Sequence, residues 1–219
     1  LNEFVNHPTP KVTGSAVVGQ TLTAVPGEWD QGTNLSYQWL ANGIPVQGAT
    51  SSTFKLTSDL VNKVIRLKVI GSAPGYVNRS ELSEQLIIVT PAKLSLVPKP
   101  VISGELEVGS ILTADPGTWE DGVNVWLSWN RDGTYVSGGT NQYMLQQADL
   151  GHQITVTAYG SKEGYKTEGN TSDPVTLVAR EFSNSNLPEI VGATAIGHSL
   201  TVNLGSWPNG TSFSYNWLM

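Results

Sequence analysis

Cysteine is absent from the 219 residues, so neither disulfides nor thiolate metal sites can hold this fold together. Charge is scarce: Asp, Glu, Lys and Arg make up 14% of the chain, against roughly 25% in an average soluble domain. Positive charge is scarcer still, with 12 Lys and Arg against 18 Asp and Glu and a formal net charge of −6. A surface of that sign repels phosphate backbones and anionic lipid, which argues against nucleic acid or a membrane surface as the main partner. No apolar run approaches the roughly 18 residues of a membrane span, and no signal peptide is visible. Helical periodicity is missing too. No stretch sustains it for the roughly 10–12 residues that would mark a helix.

What the chain does have is repetition. Gly14, Gly19, Leu22, Thr23, Gly27, Trp29 and Trp39 recur 90 positions later as Gly104, Gly109, Leu112, Thr113, Gly117, Trp119 and Trp129. Gly71, Gly75, Tyr76 and Val89 recur at an offset of 89 as Gly160, Gly164, Tyr165 and Val178. A third copy matches the first at an offset of 178 through Gly192, Gly197, Leu200, Gly205, Trp207, Tyr215 and Trp217. The register reaches back into the connecting segment, where Glu3-Phe4 and Asn6 match Glu181-Phe182 and Asn184. Such self-similarity marks tandem modules. The expected division is module 1 at 8–90, module 2 at 98–179 and the first part of module 3 at 187–219. Residues 1–7, 91–97 and 180–186 read as short, stiff linkers. The third copy is too short to fold unaided. It reads as cut short or, if naturally so, as completed by a second chain.

Within each copy apolar residues alternate, as in Ile65, Leu67 and Val69 or Ile154, Val156 and Ala158, the period of a strand with one buried face. Copy one divides into strands near 11–14, 20–25, 35–41, 45–47, 52–56, 64–71 and 80–89. Asn42-Gly43 and Asp132-Gly133 suit tight hairpins, and Pro74-Gly75 suits the centre of a type II turn. About seven short strands with a Trp in the third predict an all-β fold of tandem immunoglobulin-like sandwiches. Trp39 and Trp129 are the expected central core residues. Leu22 with Leu67, and Leu112 with Val156, fall where an antibody domain carries its paired cysteines. Trp29 and Trp119 are expected to fold over one end after a bend at Pro-Gly.

The combination "VGQTLTAVPGEW … LSYQWLANGIPVQGAT … GSAPGY" resembles the tandem immunoglobulin-like repeats of secreted and cell-surface bacterial proteins, notably actinobacterial ones. The resemblance covers nearly the whole chain. It implies an extracellular or cell-surface, non-catalytic module serving as stalk, spacer or adhesion unit of a surface protein or secreted multidomain enzyme. Its partners would be neighbouring modules and a glycan or protein at the surface.

The search for chemistry yields little. His7, His152 and His198 share no metal-ligand spacing, no catalytic motif is present, and no cofactor or metal is implied. Glu28 and Asp30 flank the first Trp of copy one, Glu120 and Asp121 follow that of copy two, and they read either as a solvated turn or as a weak calcium site. One departure from the repeat suggests a ligand. If Val125, Leu127 and Trp129 point inward, Trp126 points outward, and Tyr159 is outward on the neighbouring strand. Such a pair is either a sugar-stacking platform or a packing contact, and copy one has Ser36 and Ile70 there.

Overall fold

The computed structural model describes residues 1–179, 187–207 and 210–218. Module 1 contains β1 (Lys11–Thr13), β2 (Thr21–Val25), β3 (Asn34–Ala41), β4 (Ile44–Pro45), β5 (Thr53–Lys55), β6 (Val64–Ser72), β7 (Arg79–Leu82) and β8 (Ile87–Ile88). Module 2 repeats them as β9 (Val101–Ser103), β10 (Ile111–Asp115), β11 (Asn124–Arg131), β12 (Thr134–Gly138), β13 (Gln142–Met144), β14 (Gln153–Ser161), β15 (Glu168–Thr171) and β16 (Val175–Thr176). In each module a three-stranded sheet, β1-β2-β5 or β9-β10-β13, faces a five-stranded sheet, β4-β3-β6-β7 with β8 or β12-β11-β14-β15 with β16. All of these pairings are antiparallel. The fold is the expected all-β, tandem immunoglobulin-like sandwich.

Each module buries its own core. Leu22, Trp39, Ile65, Leu67, Val69 and Val89 form one cluster; Leu112, Trp129, Ile154, Val156, Ala158 and Leu177 form a separate one. Trp39 and Trp129 are completely buried, as are Leu22, Leu67, Leu112 and Val156. A buried indole must still satisfy its N–H. Trp39 donates to the Ser51 carbonyl at 2.9 Å, and Trp129 to the Thr140 carbonyl at 3.4 Å.

Two expectations need correction. The strand drawn from Ser80 to Val89 is broken after Leu82, because Ser83 turns inward. Its Oγ accepts from the Leu67 amide while its own amide donates to the Leu67 carbonyl. Ser172 does the same for Val156. The equivalence of Val89 with Val178 also fails. Val89 is fully buried, Val178 is 67% exposed, and Leu177 at 1% fills the core position. The amides of Asn62 and Gly151 accordingly donate to the carbonyls of Val89 and Leu177. One residue is therefore lost after Ser172, which lone apolar matches could not reveal.

Module 2 departs from module 1 at one end of its core. Ala41, Phe54 and Leu60 are replaced by Arg131, Tyr143 and Asp149. Asp149 is completely buried and accepts from Arg131 Nε at 2.6 Å, the Tyr143 hydroxyl at 3.0 Å and the Gln146 amide at 2.7 Å. A buried carboxylate is tolerable only with such partners.

In the third copy β17 (Glu189–Gly192) and β18 (Leu200–Asn203) form a two-stranded antiparallel hairpin. Trp217, the counterpart of Trp39, is 52% exposed there.

Burial first, and then Asp149, push the Tyr143 hydroxyl above its ordinary value; hydrogen bonding to Asp149 raises Arg131. Protons held more tightly in the folded state stabilise it below the unfolded-state value, and that stability is lost as pH rises through the folded one. Module 2 should therefore weaken above about pH 10 more steeply than module 1. Urea unfolding of each module, followed by amide NMR near pH 8 and near pH 11, checks this. Tyr143→Phe should flatten the difference.

Candidate functional site

Two of the segments expected as linkers, 1–7 and 91–97, are clasped onto the sandwiches that follow them, while 180–186, with the repeat matches Glu181, Phe182 and Asn184, lies outside the described residues. Phe4 is 7% exposed, stacks on Tyr76 at 4.9 Å and meets Trp29 edge-on at 5.8 Å. Trp29 reaches this position because the chain bends at Gly27, and its indole N–H donates back to the Pro26 carbonyl at 3.2 Å. Its ring lies against Gly71 of β6, where any Cβ would collide with it. Trp119 lies on Gly160 in the same way, donating to the Pro116 carbonyl. The glycines of the repeat are thus partly a demand of close approach.

The residue after each of these indoles completes the clasp. The Asp30 carboxylate accepts from the amides of Val5 at 2.7 Å and Asn6 at 3.1 Å and from Asn6 Nδ2 at 2.8 Å. Glu120 accepts from the Ser95 amide at 3.1 Å and from its hydroxyl. Leu94 is buried where module 1 has Phe4. His7 pairs with Glu81 at 2.9 Å, and at the matching place Asn170 donates to the Val97 carbonyl at 3.2 Å. Among the four carboxylates of the suspected calcium loop, then, Asp30 and Glu120 hold linker backbone. The repetition of an acid after Trp in both copies was the available signal.

The junction between modules is equally tight. The chain leaves module 1 at Thr90, whose amide donates to Ala16 and whose carbonyl accepts from Val18. It enters module 2 at Ala92, whose amide donates to Gly164 and whose carbonyl accepts from Lys166. Pro91 alone lies between. The turn Lys162–Lys166 consequently sits against the pole of module 1. Ser58 donates to Glu163 at 3.0 Å. A Cβ on Gly164 would fall 2.8 Å from Ser58 Cβ and 3.1 Å from Val18 Cγ1. Gly75, its counterpart in module 1, faces open space.

Trp126 and Tyr159 are direct cross-strand partners, stacked at 5.5 Å with 17° between their planes. Trp126 is 42% exposed and Tyr159 half-buried. The Tyr159 ring lies over Gly169 of β15, where a Cβ would come within 2.6 Å of it. On the other side β12 ends at Gly138, opposite Ser128, so no β12 residue stands beside Trp126. Thr157 and Thr171, hydrogen-bonded at 2.8 Å, border the pair.

A tandem array of immunoglobulin-like sandwiches with a built-in joint is the class these features define. No family model matches the chain. Among curated proteins it is similar to the highly immunogenic outer capsid protein of Enterobacteria phage T4, 28% identical over 179 residues. The match takes in 77% of this chain and 45% of that protein, so the chain spans under half of its relative's length. Among solved structures it is similar to three N-terminal domains of the bacteriophage RB49 protein of the same kind. There the identity is 16%, 92% of this chain and 71% of that one are covered, and the TM-score is 0.32. The tandem immunoglobulin-like repeats of Dlar follow, at 17% identity, coverage of 80% and 99%, and a TM-score of 0.21. The tandem immunoglobulin-like part of the expected resemblance stands. Its bacterial, actinobacterial part finds no support, since the curated relative is a phage protein.

Both clasp carboxylates are held below their ordinary range, Asp30 chiefly by the Val5 amide and Glu120 chiefly by the Ser95 hydroxyl. Groups with depressed folded values stabilise above the unfolded value and lose that contribution as pH falls through the folded one. The clasps should open below about pH 4. Amide NMR shifts of Val5, Asn6 and Ser95 should report it while the Trp39 and Trp129 indole signals stay native-like. Asp30→Ala should release the first clasp at neutral pH.

Proposed function

We propose that this chain is a stretch of a non-catalytic, surface-displayed spacer, with modules at 8–90 and 98–179 and a third beginning at 187. The observation that carries this reading is the joint at Pro91, where a single residue separates two anchored segments. A flexible tether would need many unpaired residues; this one sets two independently cored sandwiches end to end through a single unanchored residue. The buried polar groups support a non-catalytic role, because each serves the framework. Ser83 and Ser172 cap strand amides, Thr157 pairs with Thr171, and Asp149 is neutralised by Arg131. The similarity to an outer capsid protein of a phage supports a place on the outside of a viral particle, facing the extracellular medium. Small-angle scattering should give an elongated profile with two mass centres for modules 1 and 2. A compact globule would overturn the spacer.

The second reading is a ligand platform on module 2, favoured by the exposure of Trp126 in a stacked pair bordered by hydroxyls. Its uncovered face toward the end of β12 suits the apolar face of a sugar ring or an aromatic side chain of a partner protein. Oligosaccharide titrations followed by calorimetry test it. Binding should disappear in Trp126→Ala; undiminished binding in that variant would remove the platform.

A further inference from the structure

The pole of module 1 that receives the Lys162–Lys166 turn has a counterpart in module 2. A groove there is lined by Leu106, Glu107, Val108, Gln147, Leu150, Leu177 and Val178. In the corrected register these residues answer to Ala16, Val17, Val18, Ser58, Val61, Val89 and Thr90. Covered by the turn, Val18 is half-buried; Val108 is 49% exposed and Val178 67%. We propose that this groove is the seat for the Gly–Tyr turn of the module that follows, so that the elbow between modules 1 and 2 is repeated along the array. In the repeat register that turn falls after Met219.

Three observations support this occupant. First, it continues an interface already present: the same surface, one module earlier, holds the same kind of turn through Ser58, Val18 and Gly164. Second, the chain lengths agree. Leu112 follows Val89 by as many residues as Leu200 follows Leu177, and Ala179 occupies the place of Pro91. Third, the chemistry of the two positions that touch the turn is kept, although Glu107 stands where module 1 has Val17. Val108 repeats Val18, and Gln147 places an amide donor where Ser58 places a hydroxyl. A joint this small depends on being covalently linked, since the short connection supplies a high effective concentration.

The inference rests on the spacer reading and adds to it a fixed and recurring angle. It can be tested in the chain as it stands by moving the module 2 pole onto module 1 with Ala16→Leu, Val17→Glu, Ser58→Gln, Val61→Leu and Thr90→Val. Residual dipolar couplings read whether modules 1 and 2 share one alignment tensor. The parent chain and the transplanted pole should both give a single tensor. Gly164→Val, which drives a side chain into Ser58, should give two. A transplanted pole that gives two tensors would show that module 2's surface cannot seat such a turn, and so would a parent chain that does. Should the fivefold variant fail to fold, Ser58→Gln alone decides the question, as it changes the side chain that touches both Glu163 and Gly164. An elongated particle with independently aligned modules would keep the spacer and discard the seat.

Discussion

An indole ring packed directly against a glycine governs the organisation of this chain. Trp29 on Gly71, repeated by Trp119 on Gly160, closes one end of each sandwich. The same arrangement sets where the preceding linker can go. Phe4 packs against the exposed edge of Trp29, and the adjacent Asp30 captures the linker amides. Because the linker is captured, the chain enters the sandwich beside the Gly–Tyr turn, and that turn is brought against the previous module. A side chain at Gly71 would displace the Trp29 ring and with it the first clasp; one at Gly160 would displace Trp119 and with it the second clasp, next to the joint. Close approach to a ring face is available only to a residue without Cβ.

Within this common frame the two modules differ in ways that packing permits. Module 1 closes its core with Ala41, Phe54 and Leu60, whereas module 2 uses Arg131, Tyr143 and Asp149. The polar set is acceptable because all three groups meet at once; any one alone would leave a buried charge or hydroxyl unsatisfied. The outward faces diverge more freely. Trp126 and Tyr159 replace Ser36 and Ile70 without touching the core, since alternation sends them to the far side of the sheet.

Much of the fold was legible in the sequence. The offset of 90 between Leu22-Trp39 and Leu112-Trp129 identified the modules, and period two identified the faces of β6 and β14. Errors arose where pattern is silent about depth. Val178 and Leu177 are both apolar and adjacent, so only burial distinguishes them. Ser83 and Ser172 look like ordinary strand residues, and their inward hydrogen bonds depend on a break in the strand that composition does not announce. Asp30 and Glu120 read as solvated because their partners are backbone amides about 25 residues away, groups that every sequence possesses.

By itself the sequence determined that the chain is all-β, that each unit surrounds its own tryptophan, and that Trp126 and Tyr159 turn away from the core. Those properties follow from local periodicity and from repetition, both of which are written along the chain. The tertiary structure alone decided that the linkers are held, that Gly164 fits against Ser58 and Val18, and that Arg131, Tyr143 and Asp149 converge. Each of these joins residues far apart in sequence, through contacts whose geometry exists only after the sheets have twisted and packed.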